Sequence, residues 1–222
     1  MKGAAMPLIL HQHPLSSYCW KAKIALYEAG LPFEARLVDF GDAEGRAAFQ
    51  ALSPMGKMPL LEDTDRGRLV PETTVIIEYL QAHHAPSAGL IPADAEAALR
   101  VRLLDRVFDS YVMDPTSRIV AENFRGGDDP VGVAQADATL ARSYGWLERE
   151  LAGRTWAAGE AFTLADCAAA PALFYADKVA PFRDSHPTLG AYLDRLEARP
   201  SFARTLQEAQ PVMHMFPGRK AA

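Results

Sequence analysis

The sequence predicts an α/β domain with a four-stranded mixed sheet, followed by an all-α domain. Strand and helix patterns alternate through roughly the first eighty residues. A cluster of Pro, Ser and Gly interrupts the pattern at residues 84–89, and only helical patterns occur beyond it. We therefore expect a first domain at residues 1–84, a linker at 85–93 and a helical domain at 94–222.

The first domain opens with a strand–helix–strand pattern. Residues 7–10 are apolar and β-prone, and residues 20–29 have a helical periodicity that ends at Gly30 and Pro32. Residues 33–38 alternate apolar and polar side chains, which is typical of a half-exposed strand. Two parallel strands joined by a right-handed helical crossover account for this order.

A hairpin and a helix complete the first domain. After a short helix that ends before Pro54, strands are expected at residues 58–63 and 69–70, then a helix at 73–80. One face of that helix is expected to be apolar, formed by Val75, Ile76, Tyr79 and Leu80. The hairpin adds antiparallel strands to the parallel pair, which gives the mixed sheet of a thioredoxin-like domain.

The second domain reads as helices. Residues 93–124 fit one long helix, interrupted near Pro115 because proline cannot continue the hydrogen-bond ladder. A loop at 126–130 separates it from further helices at 133–151, 163–179, 187–198 and 201–210. Thr163 and Asp166 have the spacing of a capping box at the start of one of them, and Cys167 beside them reads as a buried apolar residue.

Composition excludes several classes of function. A net charge of −5 provides no basic stripe for nucleic acid, and no apolar run has membrane-spanning length. Two cysteines, Cys19 and Cys167, are too few for a disulfide framework or a zinc ribbon, and the histidines lack ligand spacing, so no metal is expected. Without a signal-peptide pattern, the expected location is cytoplasmic.

The segment between the first strand and the first helix carries chemistry. Small hydroxyl residues and a cysteine, Ser16-Ser17-Tyr18-Cys19, stand at the helix N-terminus. Unpaired backbone N–H groups and the helix dipole favour an anion at such a position. A thiolate is one anion that would fit there.

Over residues 8–216 the chain resembles the cytosolic glutathione transferases. In the serine-type classes, especially the zeta-like and related bacterial enzymes, the first strand is followed by Ser-Ser-x-x-Trp and alternating basic residues, matched here by Ser16, Ser17, Trp20, Lys21 and Lys23. The resemblance implies that glutathione is the co-substrate, with no other cofactor, and that the Ser16 hydroxyl donates a hydrogen bond to its sulfur, a role that Ser17 could share. One such bond, together with the helix N-terminus, could lower a thiol pKa near 8.5 by about one to two units.

The resemblance also implies five glutathione-binding residues: Lys57, Met58, Pro59, Glu72 and Thr73. The Met58–Pro59 peptide is expected to be cis, with the Met58 backbone facing the cysteinyl part of glutathione. Glu72 is expected to accept the γ-glutamyl ammonium, and Thr73, where the family more often has serine, to bind the α-carboxylate. Lys57 is expected to reach the glycine end.

A pocket for a small electrophile is expected between the two domains, formed by Phe108, Tyr111, Val112, Pro115 and Arg118. The residues alone leave open whether Phe108 and Val112 belong instead to the helical core. The resemblance further implies a homodimer, formed through the helix of residues 72–80 and the long helix of the second domain, and a role in detoxification.

Three classes of function compete. The leading hypothesis is a glutathione transferase that conjugates or isomerises a small electrophile. Zeta-like isomerase chemistry on a maleyl-type substrate is less well supported, because Tyr18 stands where that class usually has cysteine. A glutathione-dependent peroxidase or thiol oxidoreductase is the second class, although protein-disulfide exchange needs a cysteine at position 16. The third is a non-catalytic binding module, which commonly loses the serine, the acidic residue or the pre-proline geometry that this chain retains.

Overall fold

The computed structural model of the chain describes residues 7–126 and 129–219. The chain divides into two compact units, Met1–Ala88 and Gly89–Ala222. The division falls within the segment predicted as a linker, and residues 84–94 form no helix or strand. Residues 1–6 of the first predicted domain, residues 220–222 of the second, and residues 127 and 128 of the predicted loop lie outside the described residues.

The first unit is a four-stranded mixed sheet with three helices. Its strands are Leu8–Gln12 (β1), Glu34–Leu37 (β2), Leu60–Asp63 (β3) and Arg68–Pro71 (β4). Its helices are Ser17–Glu28 (α1), Ala43–Leu52 (α2) and Thr73–His83 (α3). The strand order is β2-β1-β3-β4, in which only β1 and β2 are parallel. The predicted sheet is thereby confirmed.

The two faces of the sheet bury different clusters. Because side chains alternate along a strand, Leu8 and Leu10 of β1 point to one face, where they join Leu26 of α1 and Ile76 of α3. The opposite face packs Leu60 against Val38 and Phe49. Burial of each large apolar side chain contributes about 1.5–3 kcal/mol, so these clusters fix α1 and α3 on one side and α2 on the other.

Two expectations about exposure are wrong. All four residues of β2 are exposed, and the side chains of the predicted strand that pack against the core are the flanking Phe33, which is partly buried, and Val38, which is buried. On α3 the side chain of Val75 is 52% exposed. The buried face of α3 is formed by Thr73, Ile76, Ile77 and Leu80. Hydropathy alone missed Thr73, since its burial depends on a hydrogen bond to α1.

The second unit is helical. Its helices are Ala95–Val107 (α4), Asp114–Arg125 (α5), Pro130–Glu150 (α6), Leu164–Val179 (α7), Pro187–Glu197 (α8) and Pro200–Ala209 (α9), with a 3-10 turn at Gln210–Met215. No helix in the described part of the chain is long and apolar enough to cross a bilayer. The predicted helices occur in the predicted order, and their ends lie within a few residues of the predicted positions.

The predicted interruption near Pro115 is a π-helical segment, Phe108–Met113, between α4 and α5. Proline has no N–H to offer the carbonyl of Tyr111, four residues earlier. The Ser143 hydroxyl of α6 lies 2.9 Å from that carbonyl oxygen and donates to it, in competition with the Thr139 carbonyl at 2.8 Å. A side chain from another helix therefore replaces the donor that Pro115 lacks.

The predicted capping box opens α7. The backbone N–H of Thr163 donates to the Asp166 carboxylate over 2.8 Å, and the Tyr192 hydroxyl donates to the same group over 2.6 Å. Burial raises the pKa of Asp166, although these hydrogen bonds and one from the Ala157 N–H oppose the rise. Cys167, next to this group, is fully buried as predicted.

Candidate functional site

The residues predicted to bind glutathione meet at one edge of the sheet. Leu60 of β3 lies opposite both His11 of β1 and Pro71 of β4. Because Pro59 precedes Leu60 and Glu72 follows Pro71, both lie at the edge where β1 ends. The loop that leads from β1 into α1 starts at this same edge, so the N-termini of α1 and α3 share it with the Met58–Pro59 turn.

Ser16 is the N-cap of α1. Its Oγ accepts a hydrogen bond from the Cys19 N–H over 3.4 Å, and the residue is half-buried. Ser17, the first residue of the helix, is buried. Since Oγ of Ser16 acts as an acceptor in this bond, its own proton can serve a second group. Because Ser16 is half-buried and Ser17 is buried, the Ser16 hydroxyl is the more accessible of the two.

Cys19 lies one turn into α1 and is fully buried. Burial raises the pKa of its thiol to about 11, although a hydrogen bond with the Ser16 side chain and the charge of Lys23 act in the opposite direction. At neutral pH Cys19 is a thiol, and only a thiolate is a competent nucleophile. This environment does not suit Cys19 to thiol–disulfide exchange.

The start of α3 has an unusual backbone. Glu72 has φ 69° and ψ 116°, and its side chain is exposed. A positive φ at a residue with a side chain costs about 1–3 kcal/mol and is found preferentially at functional sites. The next residue, Thr73, is buried, and its hydroxyl donates to the Tyr18 carbonyl over 3.3 Å. That bond ties the N-terminus of α3 to the first turn of α1.

The turn before β3 contains a cis peptide bond between Met58 and Pro59, as predicted. Met58 is partly buried against Val38, Phe49 and Leu60, and Pro59 is buried. The side chain of Lys57 is exposed.

Two lysines of α1 are buried, which the sequence did not indicate. Lys21 is 1% exposed and Lys23 is 3% exposed. The Lys21 Nζ donates to the Thr74 hydroxyl in the first turn of α3 over 3.0 Å. Lysine is among the residues least often buried, and the only signal in the sequence was the alternation of basic and apolar residues after Trp20.

The residues predicted for the electrophile occupy one stretch of the second unit but differ in exposure. Phe108 and Val112 are completely buried, and Pro115 is also buried. Tyr111 is 55% exposed and lines a cavity of about 360 Å³ with residues of α4 and α6. The Arg118 guanidinium forms an ion pair with Asp129 over 2.7 Å, and the pKa of that carboxyl is lowered by the hydrogen bond from Arg118.

No group of three or more potential metal ligands occurs among residues 7–126 and 129–219. His11, one of two histidines near the end of β1, pairs its Nε2 with Glu62 over 3.0 Å.

A thioredoxin-like unit with two helix N-termini at one sheet edge, followed by a helical unit, is the two-domain architecture of the glutathione transferases that the sequence resembles. Residues 10–88 match the family model for the glutathione S-transferase N-terminal domain, and residues 130–195 match that for the C-terminal domain. A glutathione S-transferase of Pseudomonas putida is 32% identical over 216 residues, which cover 94% of this chain and 96% of the relative. The chain belongs to the glutathione S-transferase family.

Further relatives agree with this assignment. A maleylpyruvate isomerase of a Ralstonia species is 30% identical over 200 residues, covering 86% of this chain and 92% of that protein. The crystal structure of a glutathione S-transferase from Methylobacillus flagellatus with glutathione bound superposes with a TM-score of 0.81 at 28% identity, covering 89% of this chain and 98% of that one. The predicted family, fold and enzyme class, a glutathione transferase, are confirmed.

Proposed function

We propose that the enzyme activates glutathione at the sheet edge described above and transfers it to, or uses it to isomerise, a small electrophile. The observation that carries this proposal is the Ser16 hydroxyl at the N-cap of α1, at the edge where α3 also begins. Glutathione is bound in the structure of the relative from Methylobacillus flagellatus, which supports the choice of thiol.

In the chemical step the glutathione thiol loses its proton to solvent, and the Ser16 hydroxyl donates a hydrogen bond to the resulting thiolate. One charge-assisted hydrogen bond contributes about 1.5–3 kcal/mol, which corresponds to about one to two pKa units. The sulfur then forms a C–S bond with the electrophilic carbon, and the leaving group departs with its bonding electrons. In an isomerisation the sulfur adds to a double bond, rotation follows, and the C–S bond breaks to release the thiolate again.

The rest of the tripeptide is held by the other residues at this edge. The exposed carboxylate of Glu72 accepts the γ-glutamyl ammonium. The Thr73 hydroxyl already donates to Tyr18, so the α-carboxylate is bound chiefly by backbone N–H groups at the start of α3. The Met58 backbone binds the cysteinyl part, and the exposed ammonium of Lys57 approaches the glycine carboxylate.

Of the residues predicted for the electrophile, Tyr111 has an exposed ring that can contact a substrate without rearrangement. Arg118 can do so only by giving up part of its ion pair with Asp129. The buried side chains of Phe108 and Val112, with Pro115, hold this stretch in place from behind. Similarity to a maleylpyruvate isomerase supports isomerisation as one of the reactions.

A homodimer, a cytoplasmic location and a role in detoxification are part of the same proposal. Apolar side chains are exposed on each unit, Leu69 and Val75 on the first and Leu99 and Leu103 on the second. A second copy of the chain would cover such residues. Analytical ultracentrifugation tests this: wild type is expected to sediment as a dimer and Leu103→Glu as a monomer. Both cysteines are free, as expected in a reducing compartment.

The test is a titration of glutathione binding, with the ultraviolet absorbance of the thiolate followed at several pH values. Wild type is expected to show thiolate at neutral pH, and Ser16→Ala to bind glutathione with its thiol pKa raised by about one to two units. Ser17→Ala is the matched control, since it removes the neighbouring buried hydroxyl. Binding without thiolate in wild type would indicate a carrier, and no binding would refute the proposal.

A further inference from the structure

The buried carboxamide of Gln12 is the strongest feature that the proposed function leaves unused. Gln12 is the last residue of β1 and is 7% exposed, and within the described part of the chain its Oε1 has no hydrogen-bond partner. We propose that Gln12 is a second catalytic residue, whose amide N–H donates a hydrogen bond to the sulfur of glutathione alongside the Ser16 hydroxyl. The inference rests on the proposed function and adds a determinant of the thiolate pKa to the same site.

The first argument is the unfavourable burial of this amide. A polar atom that is buried without a hydrogen bond destabilises the fold, because it loses water and gains no replacement. Such atoms are rare in folded proteins, and one at the edge of a site indicates a partner that the chain itself does not supply. The last side-chain torsion of glutamine is broad and two-fold, so an amide whose oxygen is not held can present its N–H donors to an anion.

The second argument is the position of the side chain on the sheet. Side chains alternate along β1, so Gln12 projects to the same face as Leu10, and α1 covers that face. The antiparallel register of β1 and β3, continued by one residue, places Gln12 opposite Pro59. The Val38 N–H donates to the Gln12 carbonyl over 2.9 Å, which fixes the main chain at this point. Gln12 therefore lies between the turn that contains the cis peptide bond and the start of α1.

The turn that follows Gln12 brings Ser16 close to it. The Ser16 N–H donates to the His13 carbonyl over 3.0 Å, so the N-cap of α1 lies beside the residue that follows Gln12. Gln12 thus stands between the two groups that are proposed to bind the cysteinyl residue of glutathione, the Met58 backbone and the Ser16 hydroxyl. Because the Met58 backbone binds the peptide groups of that residue, the sulfur is the polar atom left for the amide.

The amide acts on the sulfur without exchanging a proton. In the proposed step the thiol proton leaves to solvent, and the thiolate accepts one hydrogen bond from Ser16 and one from Gln12. A hydrogen bond to an ionised group is about twice as strong as one between neutral groups, so the contact with Gln12 favours the thiolate over the thiol. Gln12 therefore lowers the pKa of the bound thiol and is not a general base.

The experiment measures the pKa of bound glutathione from the ultraviolet absorbance of its thiolate, in wild type and in Gln12→Met. This variant removes both polar atoms and keeps the length of the side chain. The thiol pKa is expected to rise by about one unit, which makes the ratio of thiolate to thiol about tenfold smaller. Binding of S-methylglutathione, which cannot form a thiolate, is expected to stay within about twofold of wild type. Gln12→Met is also expected to unfold at a higher urea concentration, because the unpaired oxygen is gone.

His11→Met is the matched control. His11 precedes Gln12 in β1, is 4% exposed and faces the opposite side of the sheet, where its Nε2 pairs with Glu62. The control is expected to unfold at a lower urea concentration than wild type, because that pair is lost, and to leave the thiol pKa unchanged. An unchanged pKa in Gln12→Met beside a raised pKa in Ser16→Ala would overturn the inference and leave the proposed function standing.

Gln12→Glu tests the inference if Gln12→Met does not fold. It keeps the shape of the side chain and replaces the N–H donors by an acceptor, so it is expected to raise the thiol pKa at least as far as Gln12→Met. A wild-type pKa in this variant would show that no N–H of Gln12 reaches the sulfur. Failure of wild type to bind glutathione at all would instead refute the proposed function.

Discussion

The strained backbone at Glu72 leads to a prediction that separates stability from binding. Glu72 has φ 69°, which residues other than glycine rarely adopt, and its exposed carboxylate is proposed to bind the γ-glutamyl ammonium. Glu72→Gly removes both the strain and the carboxylate. Glu72→Ala removes the carboxylate and keeps the strain, and is therefore the matched control.

The magnitude follows from two opposing terms. Relief of an unfavourable φ contributes about 1–3 kcal/mol, and glycine loses about 0.5–1 kcal/mol relative to alanine through the greater freedom of the unfolded chain. Glu72→Gly is therefore expected to be about 1 kcal/mol more stable than Glu72→Ala, equivalent to about 2–4 °C in the unfolding midpoint of a chain of this length. Both variants lose the same hydrogen bond to the ammonium, so both are expected to bind glutathione about tenfold more weakly.

Two measurements decide the prediction: equilibrium unfolding in urea, and the glutathione dissociation constant. If Glu72→Gly is no more stable than Glu72→Ala, the backbone conformation is not strained as argued. If both variants bind glutathione like wild type, the assignment of the Glu72 carboxylate is wrong.

Three other predictions concern buried groups. Cys19→Ala is expected to keep glutathione turnover within about twofold, since a thiol with a pKa of about 11 is not the nucleophile; loss of turnover would favour the oxidoreductase hypothesis. Burial opposes ionisation of Asp63, but hydrogen bonds, including one at 2.6 Å from His84, hold its pKa below the ordinary value. In urea unfolding at neutral pH, wild type is therefore expected to have a free energy of unfolding about 1–3 kcal/mol greater than that of Asp63→Asn. This difference is expected to disappear as the pH falls below about 4, because the carboxylate becomes protonated; a difference that stays constant with pH would contradict the prediction. Tyr192→Phe is expected to cost about 2 kcal/mol at neutral pH. Because burial raises the pKa of Asp166 and loss of the donor raises it further, that deficit should grow as pH rises through the carboxyl pKa, and a pH-independent deficit would show that the ionised form is not involved.

Order and type of the elements could be predicted because hydropathy periods, prolines and glycines mark them directly. The interruption at Pro115 is an example, since a missing N–H is visible in the sequence. Its form as a π-helical segment was not predictable, because a missing N–H does not specify how the neighbouring turns rearrange. The orientation of α3 was misjudged at Val75 for a different reason, since the burial of Thr73 depends on a carbonyl of α1.

At the candidate site, the sequence predicted the positions that resemble a family motif. It did not predict the backbone conformation at Glu72 or the buried charge of Lys21. Ser16, Pro59 and Glu72 stand at recognisable places relative to strands and helix starts. A positive φ at Glu72 has no signature in side-chain type, which would have favoured glycine or asparagine. The burial of Lys21 was likewise hidden, because a lysine on a helix is ordinarily solvated and only the packing of α1 on α3 removes it from water.

The Ser143 hydroxyl beside the Tyr111 carbonyl constrains the order in which the sequence can change. If Pro115 is replaced first, the new N–H can satisfy the carbonyl and Ser143 becomes free to vary. If Ser143 is replaced first, the carbonyl loses this side-chain hydrogen bond, and the chain bears a penalty of about 0.5–1.5 kcal/mol until Pro115 also changes. Among descendants of this enzyme, loss of the proline should therefore precede loss of the serine, and the two sites should be found to vary as a pair.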